Sequence, residues 1–141
     1  LAIACGIVEG RRLGDNARAA LITRGLAEMV RLAIAKGGRA ETLMGLSGLG
    51  DLVLTCTAAQ SRNYSLGVAL GQRRALKDVL GERVSVAEGV DSAAAAASLA
   101  QRLGLDMPIT ATVNAILHRG AAIDDAIAAL LSRPRKSEAG N

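Results

Sequence analysis

"DNARAALITRGLAEMVRLAIAK", residues 15–36, is the stretch that decides the fold class of this chain. Apolar side chains recur in it at spacings of three and four residues, which places them on one stripe of an α-helix. The stripe consists of Ile22, Leu26, Met29, Val30, Ala33 and Ile34. Asp15 or Asn16 can cap its start, and the glycines after Lys36 end it. We predict one long helix here, packed at the centre of the domain.

Charged residues occupy a second face of the same helix. Arg24 and Glu28 are spaced i, i+4, and Glu28 and Arg31 are spaced i, i+3. These side chains either contact a partner or form a ladder of solvated charges. We favour the solvated ladder, because exposed ion pairs of this kind are common and weak.

The composition also favours an all-α domain. Half of the 141 residues are apolar, there is no Trp or Phe, and Tyr64 is the one aromatic residue. A core of Leu, Ile, Val and Ala suits helices, and Ala has the highest helix propensity. A chain of this length is typical of one domain, here spanning residues 1–141. We predict further helices before Gly10 and over residues 63–70, 75–80, 88–103, 108–119 and 122–131, with a flexible tail at 132–141.

Charge and cysteine content argue against several functions. The formal net charge of +4 is mild, and the basic residues neither cluster on one face nor alternate with aromatics, so we expect no nucleic-acid partner. No apolar run approaches the roughly 20 residues that span a bilayer. Cys5 and Cys56 lack partners at metal-ligand spacing. We expect two buried thiols, no metal and a reducing, cytoplasmic location.

Polar side chains concentrate in "GLSGLGDLVLTCTAAQSRN", residues 45–63. If residues 49–57 are helical, Asp51 and Thr55 stack at i, i+4 on one side. The opposite, buried side is then formed by Leu49, Leu52, Val53 and Cys56. Gly45, Gly48 and Gly50 indicate close backbone approach or bending before this helix. The alternative is that Asp51 acts like an N-cap and the glycines form plain turns.

The end of this stretch, Ser61-Arg62-Asn63, leads into the next predicted helix. Free N–H groups at a helix N-terminus bind phosphate readily. The Arg62 guanidinium can grip a phosphate through two hydrogen bonds, and Ser61 and Asn63 add neutral donors. The alternative makes Ser61 or Asn63 a helix cap and Arg62 an ordinary surface charge.

Three segments carry a family resemblance. They are "GDNARAALITRGLAEM" at 14–29, the stretch at 45–63, and "VAEG" at 86–89. Together they closely resemble the C-terminal domain of bacterial NAD(P)-dependent glycerol-3-phosphate dehydrogenase, over nearly the whole chain except its tail. The resemblance implies a helical substrate domain of the 6-phosphogluconate dehydrogenase C-terminal-like type, packed against an N-terminal Rossmann domain. It also implies reversible reduction of dihydroxyacetone phosphate to sn-glycerol 3-phosphate by NADPH or NADH, feeding glycerophospholipid synthesis.

The same resemblance assigns roles to individual residues. The substrate would be contacted by Asp51, Ser61, Arg62 and Asn63, and the NAD or NADP cofactor by Arg62, Val86 and Glu88. Asp51 and Thr55 would support catalysis by a lysine that the family carries about three positions before Leu1, as proton donor. We therefore expect the chain to be part of a longer protein and to be inactive by itself.

Two other functions remain open from the sequence. One is a related two-domain dehydrogenase of the hydroxyacid type, and the other is a helical interaction or dimerisation module with capped loops. The sequence does not decide between NADP and NAD, nor between a monomer and a homodimer. Arg73 departs from the family, which often has glycine after "LGQ" at this point.

Overall fold

The computed structural model of the chain describes residues 1–82 and 88–132, and every regular element in these two segments is a helix. The α-helices are α1 (Ala2–Gly10), α2 (Asp15–Ala35), α3 (Ala40–Met44), α4 (Asp51–Thr57), α5 (Arg62–Gly71), α6 (Leu76–Gly81), α7 (Gly89–Arg102), α8 (Pro108–Arg119) and α9 (Ile123–Leu131). A π-helical turn, Leu46–Gly50, joins α3 to α4. The predicted all-α fold is confirmed. The predicted tail lies outside the described residues, apart from Ser132.

The backbones of α1 and α5 touch. Gly6 and Gly10 on α1 face Gly67 and Gly71 on α5, so each helix contributes two glycines one turn apart. A Cβ atom added to Gly67 would lie 2.0 Å from the carbonyl oxygen of Ile3. Real side chains never come this close to a backbone atom, so only residues without a Cβ permit this approach.

Both hydrophobic clusters of the described residues draw on α1 and α5. The larger cluster joins α1 and α5 to α6, α7 and α8 through Ile3, Ala4, Ile7, Leu66, Ala69, Leu70, Val79, Ala93, Ile109, Val113 and Leu117. The smaller cluster joins the same two helices to α2 and α4 through Ala2, Cys5, Leu26, Leu52, Cys56 and Tyr64. The α1–α5 pair is therefore the layer that the two halves of the core share.

The prediction that the long helix α2 packs at the centre is wrong. Its buried residues are Gly25, Leu26 and Glu28, whereas six of the nine residues of α1 are buried. Ile34, the last residue of the apolar stripe, is exposed. A stripe of spacing three and four shows that one face of a helix packs against something, and a peripheral helix meets that condition as well as a central one.

Glu28 anchors α2 to the start of α8. Its carboxylate is buried and accepts hydrogen bonds from the backbone N–H of Ile109 (2.6 Å) and from the N–H (3.0 Å) and hydroxyl (2.8 Å) of Thr110. The first N–H groups of a helix have no partner within it, and the helix dipole favours a negative charge there. Arg31 donates to the Asp106 carbonyl nearby (2.9 Å). The solvated ladder is thus wrong for Glu28, which binds a neighbouring helix.

Arg73 adopts a backbone conformation that usually requires glycine. Its φ is +69°, in the left-handed region, where an L-residue with a Cβ is strained by about 1–2 kcal/mol. This explains physically why a glycine suits the position after "LGQ". The Arg73 guanidinium lies 3.5 Å from the Asp124 carboxylate, an exposed ion pair that contributes little in return.

Gly67→Ala should test the α1–α5 contact. The added methyl group overlaps the Ile3 carbonyl, so we expect the free energy of unfolding to fall by about 2–3 kcal/mol, the upper part of the overpacking range. Urea denaturation followed by circular dichroism measures this. Gly81→Ala is the matched control, because nothing lies within 4 Å of the Cβ it would add at the end of α6. Equal stability of the two variants would contradict the contact.

Glu28→Ala should test the link between α2 and α8. It leaves the N–H groups of Ile109 and Thr110 without an acceptor, so we expect a loss of about 3 kcal/mol in the same denaturation experiment. Glu41→Ala is the control, since Glu41 is exposed on α3 and pairs at 3.5 Å with the exposed Arg39. That variant should stay within about 0.5 kcal/mol of the parent. A similarly small effect of Glu28→Ala would show that Glu28 is not a structural anchor.

Candidate functional site

A cavity of about 460 Å³ opens where α4 ends and α5 begins. Its lining residues are Leu54, Thr55, Ala58, Gln60, Ser61, Arg62, Asn63 and Glu88. The structure thus brings Thr55, Ser61, Arg62, Asn63 and Glu88 together, although Glu88 is distant from the others in sequence. Val86, which the resemblance assigns to the cofactor, lies outside the described residues.

Asp51 is the one described residue of the predicted site that does not line this cavity. It is exposed and is the first residue of α4, directly after the π-helical turn. Thr55 follows one helical turn later on the same helix and is half-buried. The carboxylate and the hydroxyl therefore belong to one rigid element, with Thr55 in the cavity wall and Asp51 a turn before it.

The faces of α4 differ in part from the prediction. Leu52 and Cys56 are buried as expected, but Val53 is 42% exposed, so its predicted place on the buried side is wrong. This seven-residue helix packs along the single i, i+4 line of Leu52 and Cys56, which leaves Val53, 100° away, outside the contact. Leu54, an apolar residue that did not fit the predicted faces, is exposed and lines the cavity.

Two thiols hold α4 against α1. Cys5 and Cys56 are both free and fully buried, which confirms the prediction of buried thiols. Interaction with the neighbouring Cys56 thiol, together with burial, raises the pKa of Cys5. A raised pKa keeps the thiol of Cys5 protonated and unreactive. Both thiols belong to the smaller hydrophobic cluster, beneath the helix that carries Asp51 and Thr55.

The π-helical turn before α4 was not predicted. At Gly48, an added Cβ would lie 2.2 Å from the carbonyl oxygen of Leu43, so the predicted close approach of backbone is confirmed at this glycine. Single π-helical turns are rare and occur frequently at functional sites. The only signal in the sequence is the run of glycines at 45, 48 and 50, which does not distinguish a π-turn from other bends.

Ser61 caps the start of α5. Its Oγ accepts a hydrogen bond from the N–H of Tyr64 at 3.2 Å, so the cap alternative is confirmed for this residue. A hydroxyl group that accepts can still donate its own hydrogen. Gln60, next to it, also lines the cavity, and its amide was missed as a candidate because glutamine in a loop carries no pattern of its own.

The start of α5 is tied to the start of α7 by two contacts. The Asn63 side-chain oxygen accepts a hydrogen bond from the N–H of Gly89 at 2.9 Å. The Arg62 guanidinium donates to the Glu88 carboxylate at 3.2 Å. Asn63 thus satisfies one of the free N–H groups at the start of α7. These contacts, between residues 26 positions apart, bring Glu88 to the cavity.

Two further features of the described residues bear on the type of site. No group of three His, Cys, Asp or Glu side chains in residues 1–82 and 88–132 is arranged to hold a metal ion. In the same segments, no helix combines the length and the apolar character needed to cross a membrane.

Comparison with known proteins decides the family. Residues 1–128 match the family model described as the NAD-dependent glycerol-3-phosphate dehydrogenase C-terminus. The chain belongs to this family. The resemblance in the sequence is thereby confirmed, and so is the assignment of the all-α domain to the C-terminal part of such enzymes.

Relatives of this glycerol-3-phosphate dehydrogenase family are similar over the whole chain. The protein named glycerol-3-phosphate dehydrogenase [NAD(P)+] from Parvibaculum lavamentivorans is 61% identical over 138 residues, which are 98% of this chain and 41% of the relative. The protein of the same name from Rhodospirillum rubrum is 61% identical over 141 residues, 100% of this chain and 40% of the relative. The chain thus spans about two fifths of the length of each of these relatives.

A solved structure supports the fold. The crystal structure of glycerol-3-phosphate dehydrogenase from Coxiella burnetii matches with a TM-score of 0.90 and 49% identity, over 94% of this chain and 41% of that chain. At this TM-score the two chains share the arrangement of helices over the matched part.

Proposed function

We propose that this chain is the substrate-binding half of an NAD(P)-dependent glycerol-3-phosphate dehydrogenase, acting in the cytoplasm. The reaction is the interconversion of dihydroxyacetone phosphate and sn-glycerol 3-phosphate. One observation carries the proposal: the cavity at the start of α5 gathers Ser61, Arg62 and Asn63 in a chain 61% identical to relatives of that name. The two free, buried thiols agree with a reducing compartment.

The substrate's phosphate fits the start of α5. Arg62 is 53% exposed, so its guanidinium can reach a ligand in the cavity and bind two phosphate oxygens at once. The Ser61 hydroxyl has a hydrogen to donate, and the side-chain nitrogen of Asn63 has two, because Asn63 uses its oxygen on Gly89. The positive end of the α5 dipole adds to the attraction.

The reacting end of the substrate would lie toward α4. Leu1 packs against the smaller hydrophobic cluster, which includes Leu52 of α4. Since each residue extends at most about 3.5 Å, a lysine about three positions before Leu1 would lie within roughly 10 Å of Leu1. That distance is short enough for it to reach the region of α4. The exposed Asp51 carboxylate would orient that ammonium group and favour its charged form, and Thr55 would hydrogen-bond the substrate. The lysine would donate the proton to the developing alkoxide.

The cavity residues also fit a dinucleotide. Arg62 offers a cation for a phosphate group, and the 76% exposed Glu88 carboxylate can accept hydrogen bonds from ribose hydroxyls. When bound, the nicotinamide supplies or receives the hydride. The role of this chain is to hold the substrate phosphate, and thereby the carbon that reacts, at a fixed distance from the cofactor.

Arg62→Ala in the complete enzyme should test the phosphate role. A charge-assisted contact to phosphate is worth about 1.5–3 kcal/mol, so we expect the KM for dihydroxyacetone phosphate to rise roughly 10- to 150-fold. Some loss of kcat is also expected, because the phosphate positions the ketone. Arg62→Lys keeps the charge but loses the planar group that forms two parallel hydrogen bonds, so its KM for dihydroxyacetone phosphate should also rise. Steady-state kinetics measure these effects.

Arg39→Ala is the matched control, because Arg39 is an exposed arginine whose pair is Glu41. It should leave kcat/KM unchanged, and thermal melting should show that both variants fold as the parent does. If Arg62→Ala kept kcat/KM within about twofold of the parent at an equal melting temperature, the phosphate role would be refuted. The polar groups at the start of α5 would then be helix caps and surface charge.

A further inference from the structure

Two contacts of different kinds tie the start of α7 to the start of α5. One is the hydrogen bond from the Gly89 N–H to the Asn63 side-chain oxygen, which is partly buried. The other is the ion pair of Arg62 and Glu88, whose side chains are 53% and 76% exposed. Both contacts lie at the cavity, so any ligand that binds there meets them.

The two contacts differ in how easily a ligand replaces them. A Cβ on Gly89 would lie 2.4 Å from the Asn63 oxygen, so the backbone of α7 sits tightly against this amide with no room for an inserted group. The Arg62–Glu88 pair is exposed to solvent, and exposed pairs are weak. A ligand can therefore exchange with Glu88 while Asn63 keeps α7 in place.

We propose that Glu88 is an internal ligand of Arg62, which a phosphate group displaces on binding. This inference rests on the proposed function, in which Arg62 binds the phosphate of the substrate. A carboxylate and a phosphate use the same guanidinium N–H groups. In the ligand-free chain the Glu88 carboxylate takes the position that the phosphate needs, and the released Glu88 becomes available to a hydroxyl group of a second ligand.

The competition between the Glu88 carboxylate and phosphate for Arg62 should change the apparent Kd for phosphate by a measurable factor. When a site is partly occupied by an internal group, the apparent Kd equals the intrinsic Kd divided by the fraction of molecules in which the site is open. For an exposed ion pair of ordinary strength, the closed form exceeds the open form by a factor of roughly 1.4 to 5. Removing the Glu88 charge should then tighten phosphate binding by about two- to sixfold.

Phosphate titrations of four forms of the isotope-labelled chain test this proposal. The parent, Glu88→Gln, Asp91→Asn and Arg62→Ala are titrated with inorganic phosphate at constant ionic strength, and the amide resonances of Asn63 and Gly89 report binding by nuclear magnetic resonance. Asp91, exposed in the first turn of α7, is the matched control, because its variant removes one negative charge nearby without touching the ion pair. The dispersion of the spectra checks that each variant is folded.

The proposal expects Glu88→Gln to bind phosphate about two- to sixfold more tightly than the parent, and Asp91→Asn to stay within about 1.5-fold of it. Equal effects of the two variants would overturn the proposal, since the loss of one negative charge near the cavity would then explain both. Unchanged or weaker binding by Glu88→Gln would overturn it as well. If Arg62→Ala binds phosphate like the parent, or if no form binds, the proposed function fails too. Lost binding in Arg62→Ala without a gain in Glu88→Gln refutes the internal ligand alone.

Discussion

The close contact between the backbones of α1 and α5 is the constraint on which the rest of the structure depends. It requires glycine at four positions, Gly6 and Gly10 on one helix and Gly67 and Gly71 on the other. The glycines have no side chains at this contact, and the apolar residues of both hydrophobic clusters lie on the other faces of the two helices. The geometry of the site depends on this pair of helices. Helix α5 begins with Arg62 and Asn63, and α4 packs on α1 through the two thiols. A shift of α5 against α1 would therefore alter the cavity directly.

The helices could be predicted from the sequence, but their packing could not. Apolar spacing and the breaks at glycine and proline located every helix from α5 to α9, because these signals act within one element. The central position of α1 has no such signal, since the glycine pairs at 6 and 10 and at 67 and 71 are indistinguishable from other glycines until the helices meet. Glu28 shows the same limit, because the helix end that it caps lies 81 residues further along the chain.

The site was predictable to the extent that its residues are neighbours in the chain. Thr55 and the Ser61–Asn63 segment line one cavity because a short helix and the start of the next are joined by a short loop. The contact of Asn63 with Gly89 could not be read from spacing, and Glu88 entered the predicted site through the family resemblance alone. The exposed side of Val53 was missed because it depends on where α4 meets α1, which is a tertiary property. The π-helical turn was missed because its glycines fit other bends equally well.

Native-state hydrogen exchange of the chain in increasing urea tests the central role of the α1–α5 pair most directly. Amides that exchange only when the whole domain unfolds mark its most stable unit. We expect these slowest amides to lie in the middle of α1 and α5, around Ile7 and Leu70, with both helices opening at one and the same free energy. The last turns of α2, beyond Met29, should exchange through smaller openings. If α2 were the most protected helix while α1 and α5 opened separately and at lower free energy, the central role of the α1–α5 pair would be contradicted.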